Sequence, residues 1–175
     1  MFERESKEFK ENTKLDGGRY ETVTVDGSLE FDDVDALTMT VNGNATGEDG
    51  TFVSLAVNGS LKAEDCTSEE LTVNGPANLE DCKIKGLCSI TGNVTAQDCQ
   101  MGSLYTSAMS VVLDDCIING DIMIRPDMGA LGGEQELRLN GATIVKGSIT
   151  FEDGSGVISK SSDAIVEGEI SGADK

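Results

Sequence analysis

The chain has 175 residues, 38% of them hydrophobic, and its formal net charge is −19. Aromatic residues make up 4% and the chain has no His, so it offers few groups for stacking on bases and no imidazole for general-base catalysis. Nucleic acids and anionic membranes both attract Lys and Arg, and so large an excess of acid argues against binding to either. We therefore expect a protein that is not an enzyme, holds no cofactor, and has no direct contact with nucleic acid or an anionic membrane.

Residues 1–16 are polar and mixed in charge, and Phe2 and Phe9 are the only aromatic side chains among them. Two aromatic side chains make a thin apolar face, so the segment predicts either a loosely ordered tail or a short capping helix. It lacks the apolar core of a signal peptide, and no run in the chain approaches the ~20 apolar residues of a membrane span. These features predict a cytoplasmic protein.

A unit of 16 or 17 residues recurs from residue 17 onward. Its glycines are Gly27, Gly43, Gly59, Gly75 and Gly92. Around Gly59, the apolar residues Leu55, Val57 and Leu61 alternate with polar ones, which is the period of a β-strand. A unit this short has no room for a helix, and it suits three short strands that close one coil and stack at ~4.8 Å on the next. Residues 17–175 therefore predict an all-β fold, a single-stranded parallel β-solenoid of about nine coils. We expect three sides and, from the usual crossover preference, right-handed winding.

One position of the unit is an aspartate in almost every copy. The column contains Asp33, Asp49, Asp65, Asp81, Asp98, Asp115 and Asp153. Stacked carboxylates ~5 Å apart repel each other by roughly 0.8 kcal/mol per pair even in bulk water, so something should compensate. One interpretation is a ladder of cation sites, with Ca²⁺ as the candidate because hard cations take carboxylate oxygens. The other is a corner residue whose carboxylate accepts backbone N–H groups of its own turn.

The residue after the aspartate is a cysteine in four copies: Cys66, Cys82, Cys99 and Cys116. An earlier copy has Val34 at this place, which predicts an inward, apolar position where a free Cys packs as a small hydrophobe. Five cysteines are an odd number, and no pair of Cys-x-x-Cys motifs is present to converge on a metal ion. We expect neither disulfides nor a metal site in this column, as suits a reducing compartment.

The repeat is interrupted after Cys116, and an irregular loop is predicted over about residues 125–136. A localised site is expected where a repeat breaks, so residues 125–133 are a candidate binding surface for a basic protein or a cation. The other candidate is the final coil, because an open solenoid end leaves unpaired strand edges and no later segment is there to cover them. We predict self-association of C-terminal end with C-terminal end through apolar residues of the last coils: Val157, Ile158, Ile165, Val166 and Ile170.

Two stretches carry a family resemblance, Leu87 to Val94 with its Ile-Thr-Gly turn, and Asn140 to Val157. Over residues 17–175 the chain resembles bacterial polymer-forming proteins of the bactofilin type, and uncharacterised bacterial β-helix proteins related to them. The resemblance implies a right-handed β-helix that polymerises end to end into non-polar, cytoskeleton-like filaments without a nucleotide. It therefore favours a structural, self-assembling scaffold. The alternative is a monomeric acidic module that binds a basic protein or Ca²⁺ through the Asp column or the 125–133 loop.

Overall fold

The computed structural model describes residues 3–126 and 133–174, and all regular secondary structure within them is β-strand. The strands form two sheets, one of 13 strands and one of 10, in which neighbouring strands run parallel. No helix in these two ranges is long and apolar enough to cross a membrane.

The first sheet takes one strand, or two short ones, from each coil. Its main path is β1 (Glu5–Phe9), β3 (Arg19–Val25), β5 (Asp35–Val41), β7 (Thr51–Val57), β9 (Thr67–Val73), β11 (Lys83–Ile90), β13 (Gln100–Thr106), β15 (Ile117–Ile118), β18 (Ile144–Val145) and β21 (Ile165–Val166). Three further strands continue the second half of β13: β16 (Ile122–Ile124), β19 (Ile149–Phe151) and β22 (Ile170–Ser171).

The second sheet takes one strand from each coil. Its order is β2 (Thr13–Asp16), β4 (Leu29–Asp32), β6 (Ala45–Glu48), β8 (Leu61–Glu64), β10 (Ala77–Glu80), β12 (Val94–Gln97), β14 (Ser110–Asp114), β17 (Gln135–Asn140), β20 (Gly156–Lys160) and β23 (Ala173–Asp174).

Equivalent residues of successive copies lie side by side, as the repeat predicts. Leu61 pairs with Ala45 on one side and with Ala77 on the other, each 16 residues away. The predicted parallel β-solenoid is thus confirmed, with about ten coils instead of nine. Its handedness and number of sides stay predictions.

The extra coil comes from residues 5–16, where we predicted a tail or a capping helix; that prediction was wrong. Strand β1 pairs with β3, with one register shift between Glu5 and Lys7, and β2 pairs in register with β4, so the two strands form the first coil. Leu15 is buried against the core and Phe9 packs on it, so this segment does supply apolar inward positions. The Arg4 guanidinium also makes a bidentate ion pair with Asp35, at 2.8 and 3.1 Å.

Strands of the first sheet bend in the middle. In β7 the buried residues are Phe52, Leu55 and Val57, so the strict alternation resets between the first two. In β11 the bend holds one extra residue: Ile84 pairs with Ser68, but Cys88 pairs with Leu71. This bulge is where the repeat lengthens from 16 to 17 residues.

The core is a set of inward columns, and large side chains in it lie beside small ones. Phe31 and Phe52 meet edge to face, with ring centroids 5.5 Å apart and planes at 88°. They occupy the space left by two glycines, because a Cβ on Gly47 would strike the Phe31 ring and one on Gly50 would lie 2.5 Å from Phe52 Cε2. The Gly47 and Gly50 positions therefore complete the packing of one aromatic pair.

Candidate functional site

Six of the seven aspartates in the predicted column share one backbone conformation. Asp33, Asp49, Asp65, Asp81, Asp98 and Asp115 all have positive φ, between 50° and 53°. This left-handed region is strained for most residues and best tolerated by Gly, Asn and Asp. The six residues follow strands of the second sheet directly, at the corner where the chain turns toward the first sheet. The backbone of this corner explains why the column selects aspartate.

The predicted hydrogen bond from a backbone N–H of the same turn occurs, within the described ranges, at the seventh aspartate. Asp153 Oδ1 accepts the N–H of Ser155 at 3.0 Å, and this bond lowers the pKa of the Asp153 carboxyl. Asp115 Oδ1 instead accepts the N–H of Ala142 from the next coil, at 2.8 Å. Conformation, more than own-turn hydrogen bonding, therefore accounts for the other members of the column.

Substitution of Asp65 separates the contribution of the backbone conformation from that of the carboxylate. We expect Asp65→Val to lower the free energy of unfolding by about 2 kcal/mol, because a β-branched residue in the left-handed region is strained. We expect Asp65→Gly to change the free energy by less than about 0.5 kcal/mol, because Gly adopts this conformation freely. Urea denaturation of both variants measures the difference. Equal losses would show that the carboxylate, not the backbone conformation, is what the corner requires.

A second acidic column runs directly beside the first, on the outer face of the second sheet. Its members pair in register on successive strands: Asp16, Asp32, Glu48, Glu64 and Glu80. Repulsion from Glu80, followed by partial desolvation and repulsion from Glu48, raises the pKa of Glu64. Together the two columns make an exposed ridge of carboxylates along one corner of the solenoid, which we call the acidic ridge. No group of three Asp, Glu or Cys side chains in residues 3–126 and 133–174 is arranged to hold a metal ion.

The raised pKa of Glu64 predicts a pH dependence of stability. A carboxyl whose pKa is higher in the folded than in the unfolded chain stabilises the fold when protonated, and this stability is lost as pH rises through the folded pKa. We therefore expect the melting temperature at low salt to fall as pH rises from the ordinary value of 4.5 toward neutrality. Glu64→Gln should reduce the dependence of the melting temperature on pH. Added salt should reduce it further, because salt screens the repulsion between all the exposed carboxylates. A melting temperature that rises over this interval would contradict the prediction.

The four column cysteines and Cys88 are all free and buried. The thiols of Cys66, Cys82, Cys99 and Cys116 each lie 3.1 to 3.2 Å from the backbone oxygen two residues earlier, to which they donate. Thr143 occupies the same column one coil later, where its hydroxyl accepts the N–H of Cys116 at 3.1 Å. The Cys column, which continues in a hydrogen-bonded Thr, therefore faces inward at a corner of the coil, as the sequence predicts.

These thiols should react slowly in the folded protein. Burial raises the pKa of Cys88 to about 12, and the other four thiols are also buried, away from a reagent in solution. Because the thiolate is the reactive form, we expect an aromatic disulfide reagent to titrate few thiols at neutral pH and all five after denaturation in urea. Rapid titration of two or more thiols in the folded chain would contradict this prediction.

A ladder of side-chain amides follows the opposite corner. Asn74 Nδ2 donates to Asn58 Oδ1 at 2.6 Å, and Asn58 Nδ2 donates to Asn42 Oδ1 at 2.7 Å. Asn42 Nδ2 then donates to Asp26 Oδ1 at 2.8 Å, and Lys10 Nζ donates to Asp26 Oδ2 at 2.9 Å. The hydrogen bonds from Lys10 and Asn42 lower the pKa of Asp26. The sequence gives these asparagines a common place in the repeat, but the hydrogen bonds between them are seen only in the structure.

The interruption of the repeat lies partly outside the described residues, since 127–132 belong to neither range. Of the predicted loop 125–136, Gln135 and Glu136 already form the start of β17. The Gln135 side chain is buried, and its Nε2 donates to Ala108 O at 3.0 Å and Arg125 O at 2.6 Å. The Arg125 guanidinium lies over the Tyr105 ring, 5.8 Å from its centroid. These contacts join both ends of the interruption to the solenoid.

The five predicted interface residues divide into two groups. Within the described residues, three of them end inward columns: Ile158, Val166 and Ile170 continue the buried residues Leu137, Val145 and Ile149 respectively. Val157 and Ile165 continue Glu136 and Ile144 on the outer surface.

The C-terminal end of the core is thus apolar and uncovered within the described chain. Ile170 is 47% exposed, although its predecessors Ile122 and Ile149 in the same column are fully buried. A fourth inward column ends in Lys160, whose Nζ bonds to Ala164 O at 2.8 Å.

The N-terminal end of the core differs. Its inward columns begin with Lys7, which precedes Val23, and Phe9, which precedes Val25. The Lys7 ammonium lies 5.3 Å from the centroid of the Tyr20 ring and 3.4 Å from Glu5 Oε2. An inward-pointing charge on an edge strand hinders pairing with another chain, so this edge is protected in a way that β21 and β22 are not.

A scan of protein-family models finds no family that matches this chain, and searches of curated proteins and of solved structures find no similar protein.

Proposed function

We propose that the chain is a non-catalytic structural protein of the cytoplasm that self-associates end to end, in the manner of the bactofilin-type polymer-forming proteins that it resembles. The observation that carries the proposal is that the inward side chains of β21 and β22, at the C-terminal end of the core, are apolar and only partly covered. The C-terminal columns end in the half-buried Val166 and the exposed Ile170. At the N-terminal end, one inward position of the edge strand β1 is the charged Lys7.

Pairing of two C-terminal ends would bury these side chains and satisfy the edges of the last strands at the same time. Burial of a large aliphatic side chain contributes roughly 1.5–3 kcal/mol, and each copy supplies Ile158, Val166 and Ile170. Such a contact is isologous: the same surface of both copies takes part, and it closes as a dimer. A longer polymer also requires contacts between N-terminal ends.

Light scattering during size-exclusion chromatography, together with electron microscopy, tests the proposal. Ten stacked coils make a rod of about 50 Å, so a pair joined at the C-terminal ends is a rod of about 100 Å. We expect rods of that length; filaments built from them would show that the N-terminal ends also pair, despite the inward charge of Lys7. A strict monomer at high protein concentration would overturn the proposal.

The acidic ridge favours a second candidate, a monomeric module that binds a basic protein or Ca²⁺. The raised pKa of Glu64 reflects carboxylate repulsion that a cationic partner would relieve. Calorimetric titration with CaCl₂ distinguishes the candidates. Saturable heat of binding that is lost in the Asp65→Val variant supports the module. A titration of the unsubstituted chain without such heat supports the scaffold.

A further inference from the structure

The chain contains five Asn-Gly dipeptides: Asn42–Gly43, Asn58–Gly59, Asn74–Gly75, Asn119–Gly120 and Asn140–Gly141. In such a pair the backbone nitrogen of the glycine can attack the side-chain carbonyl of the asparagine. Glycine has no side chain to hinder this approach, and its backbone adopts a wide range of conformations. The reaction needs a free asparagine side chain and a free glycine N–H. The structure provides these to the five pairs unequally.

The side chains of Asn42, Asn58 and Asn74 are held by the amide ladder. Both ends of the Asn42 and Asn58 amides are hydrogen bonded, at 2.6 to 2.8 Å, while Asn74 is bonded through its Nδ2. Rotation of Asn42 or Asn58 toward the following glycine therefore breaks two hydrogen bonds, and rotation of Asn74 breaks one.

Asn119 is restrained in a different way. Its Oδ1 accepts a hydrogen bond from Lys146 Nζ at 2.8 Å. The attacking atom is also engaged, because the N–H of Gly120 donates to Gly102 O at 2.5 Å. Both partners of the reaction are thus occupied at this pair.

Asn140 has none of these restraints. Its exposed side chain makes no hydrogen bond within the described residues, and there the Gly141 N–H has no backbone acceptor. The pair occupies the corner that reads Asp114–Asp115 one coil earlier, and Gly141 adopts the left-handed φ of 58°. The Asp115 carboxylate lies against Gly141 and accepts the N–H of Ala142 at 2.8 Å.

We propose that Asn140–Gly141 is a site of spontaneous deamidation in the folded protein. The Gly141 nitrogen forms a bond to Cγ of Asn140 and loses its proton, and the side-chain nitrogen leaves as ammonia. The product is a cyclic imide. Solvent water then opens this ring at one of its two carbonyls, which leaves an aspartate or an isoaspartate at position 140.

Both products change the acidic ridge. Position 140 continues the outer acidic column one coil beyond Asp114, so each product places a new carboxylate beside that side chain in a chain whose net charge is already −19. The isoaspartate also lengthens the backbone at the corner that follows β17, between its partners β14 and β20. Modified chains should therefore melt at a lower temperature than fresh chains.

Peptide mapping by mass spectrometry after incubation of the full chain at mildly alkaline pH tests the proposal. We expect position 140 to convert about tenfold faster than positions 42 and 58, since two hydrogen bonds restrain each of those. In concentrated urea the five rates should converge, because each asparagine is followed by glycine. Conversion at 140 that is no faster than at 58, or a tenfold ratio that persists in urea, would overturn the proposal.

A variant checks the role of the ladder independently. Asn74→Ala removes the hydrogen bond to Asn58 Oδ1 and leaves Asn140 untouched. We expect the rate at position 58 to rise severalfold while that at 140 stays the same. An unchanged rate at 58 would show that ladder hydrogen bonds do not protect the asparagines, and the proposal would fail.

Discussion

Replacement of Gly59 with alanine is expected to lower the free energy of unfolding by about 3 kcal/mol. A Cβ at this position would lie 2.5 Å from Gly43 O and 2.7 Å from Gly43 C. Both atoms belong to the backbone of the preceding coil, so no side chain can move away to make room. The same column continues at Gly75, where a Cβ would lie 2.6 Å from Gly59 O.

Urea denaturation followed by circular dichroism measures this effect. Ser60→Ala is the matched control, because it lies next in the chain, at the same corner, and removes one hydroxyl without adding an atom. We expect the control to change the free energy by less than about 0.5 kcal/mol. A Gly59→Ala variant as stable as the control would mean that neighbouring coils can separate locally at this corner.

Substitutions in the last coil should have the largest effect on assembly. We expect Val166→Asp combined with Ile170→Asp to convert the assembled protein to monomers. These two side chains end inward columns of the core, and a charge there would be buried without a partner in an end-to-end contact. The matched control is Ile165→Asp, since Ile165 is 51% exposed but lies on the outer surface.

Light scattering at several protein concentrations separates these outcomes. Assembly that survives Ile165→Asp but not the double substitution supports a contact between ends. Loss of assembly with Ile165→Asp alone would show that the outer surface mediates the contact. Circular dichroism of each variant confirms that the solenoid itself persists.

The sequence predicts the stacked coils well because two independent columns, Gly and Asp, repeat with the same period. It misses the first coil because Glu11 stands where later copies have glycine, and because Lys7 takes an inward position that is apolar in later coils. Both departures are features of an edge strand, which lacks a preceding coil to pack against. The residue pattern of the interior coils therefore does not identify the first coil.

The candidate sites are predicted less completely than the fold. The Asp column is visible in the sequence, but the left-handed conformation that explains it depends on the corner between two sheets. The apolar residues of the last coil are also visible, yet their directions are not. A count by twos places Ile165 and Ile170 on opposite faces of the chain, but the count alone does not say which of the two faces inward.

The one-residue bulge in β11 has a consequence for how the chain finds its fold. Near-identical coils of one length could pair with the wrong copy, displaced by a whole repeat, and still match most columns. The extra residue between Ile84 and Cys88 breaks this degeneracy, because a displaced pairing would leave the bulge opposite the wrong neighbour. The aromatic pair of Phe31 and Phe52 marks the other half of the array in the same way. Each half of the solenoid thus contains one irregular feature that distinguishes the correct pairing of coils from pairings displaced by a whole repeat.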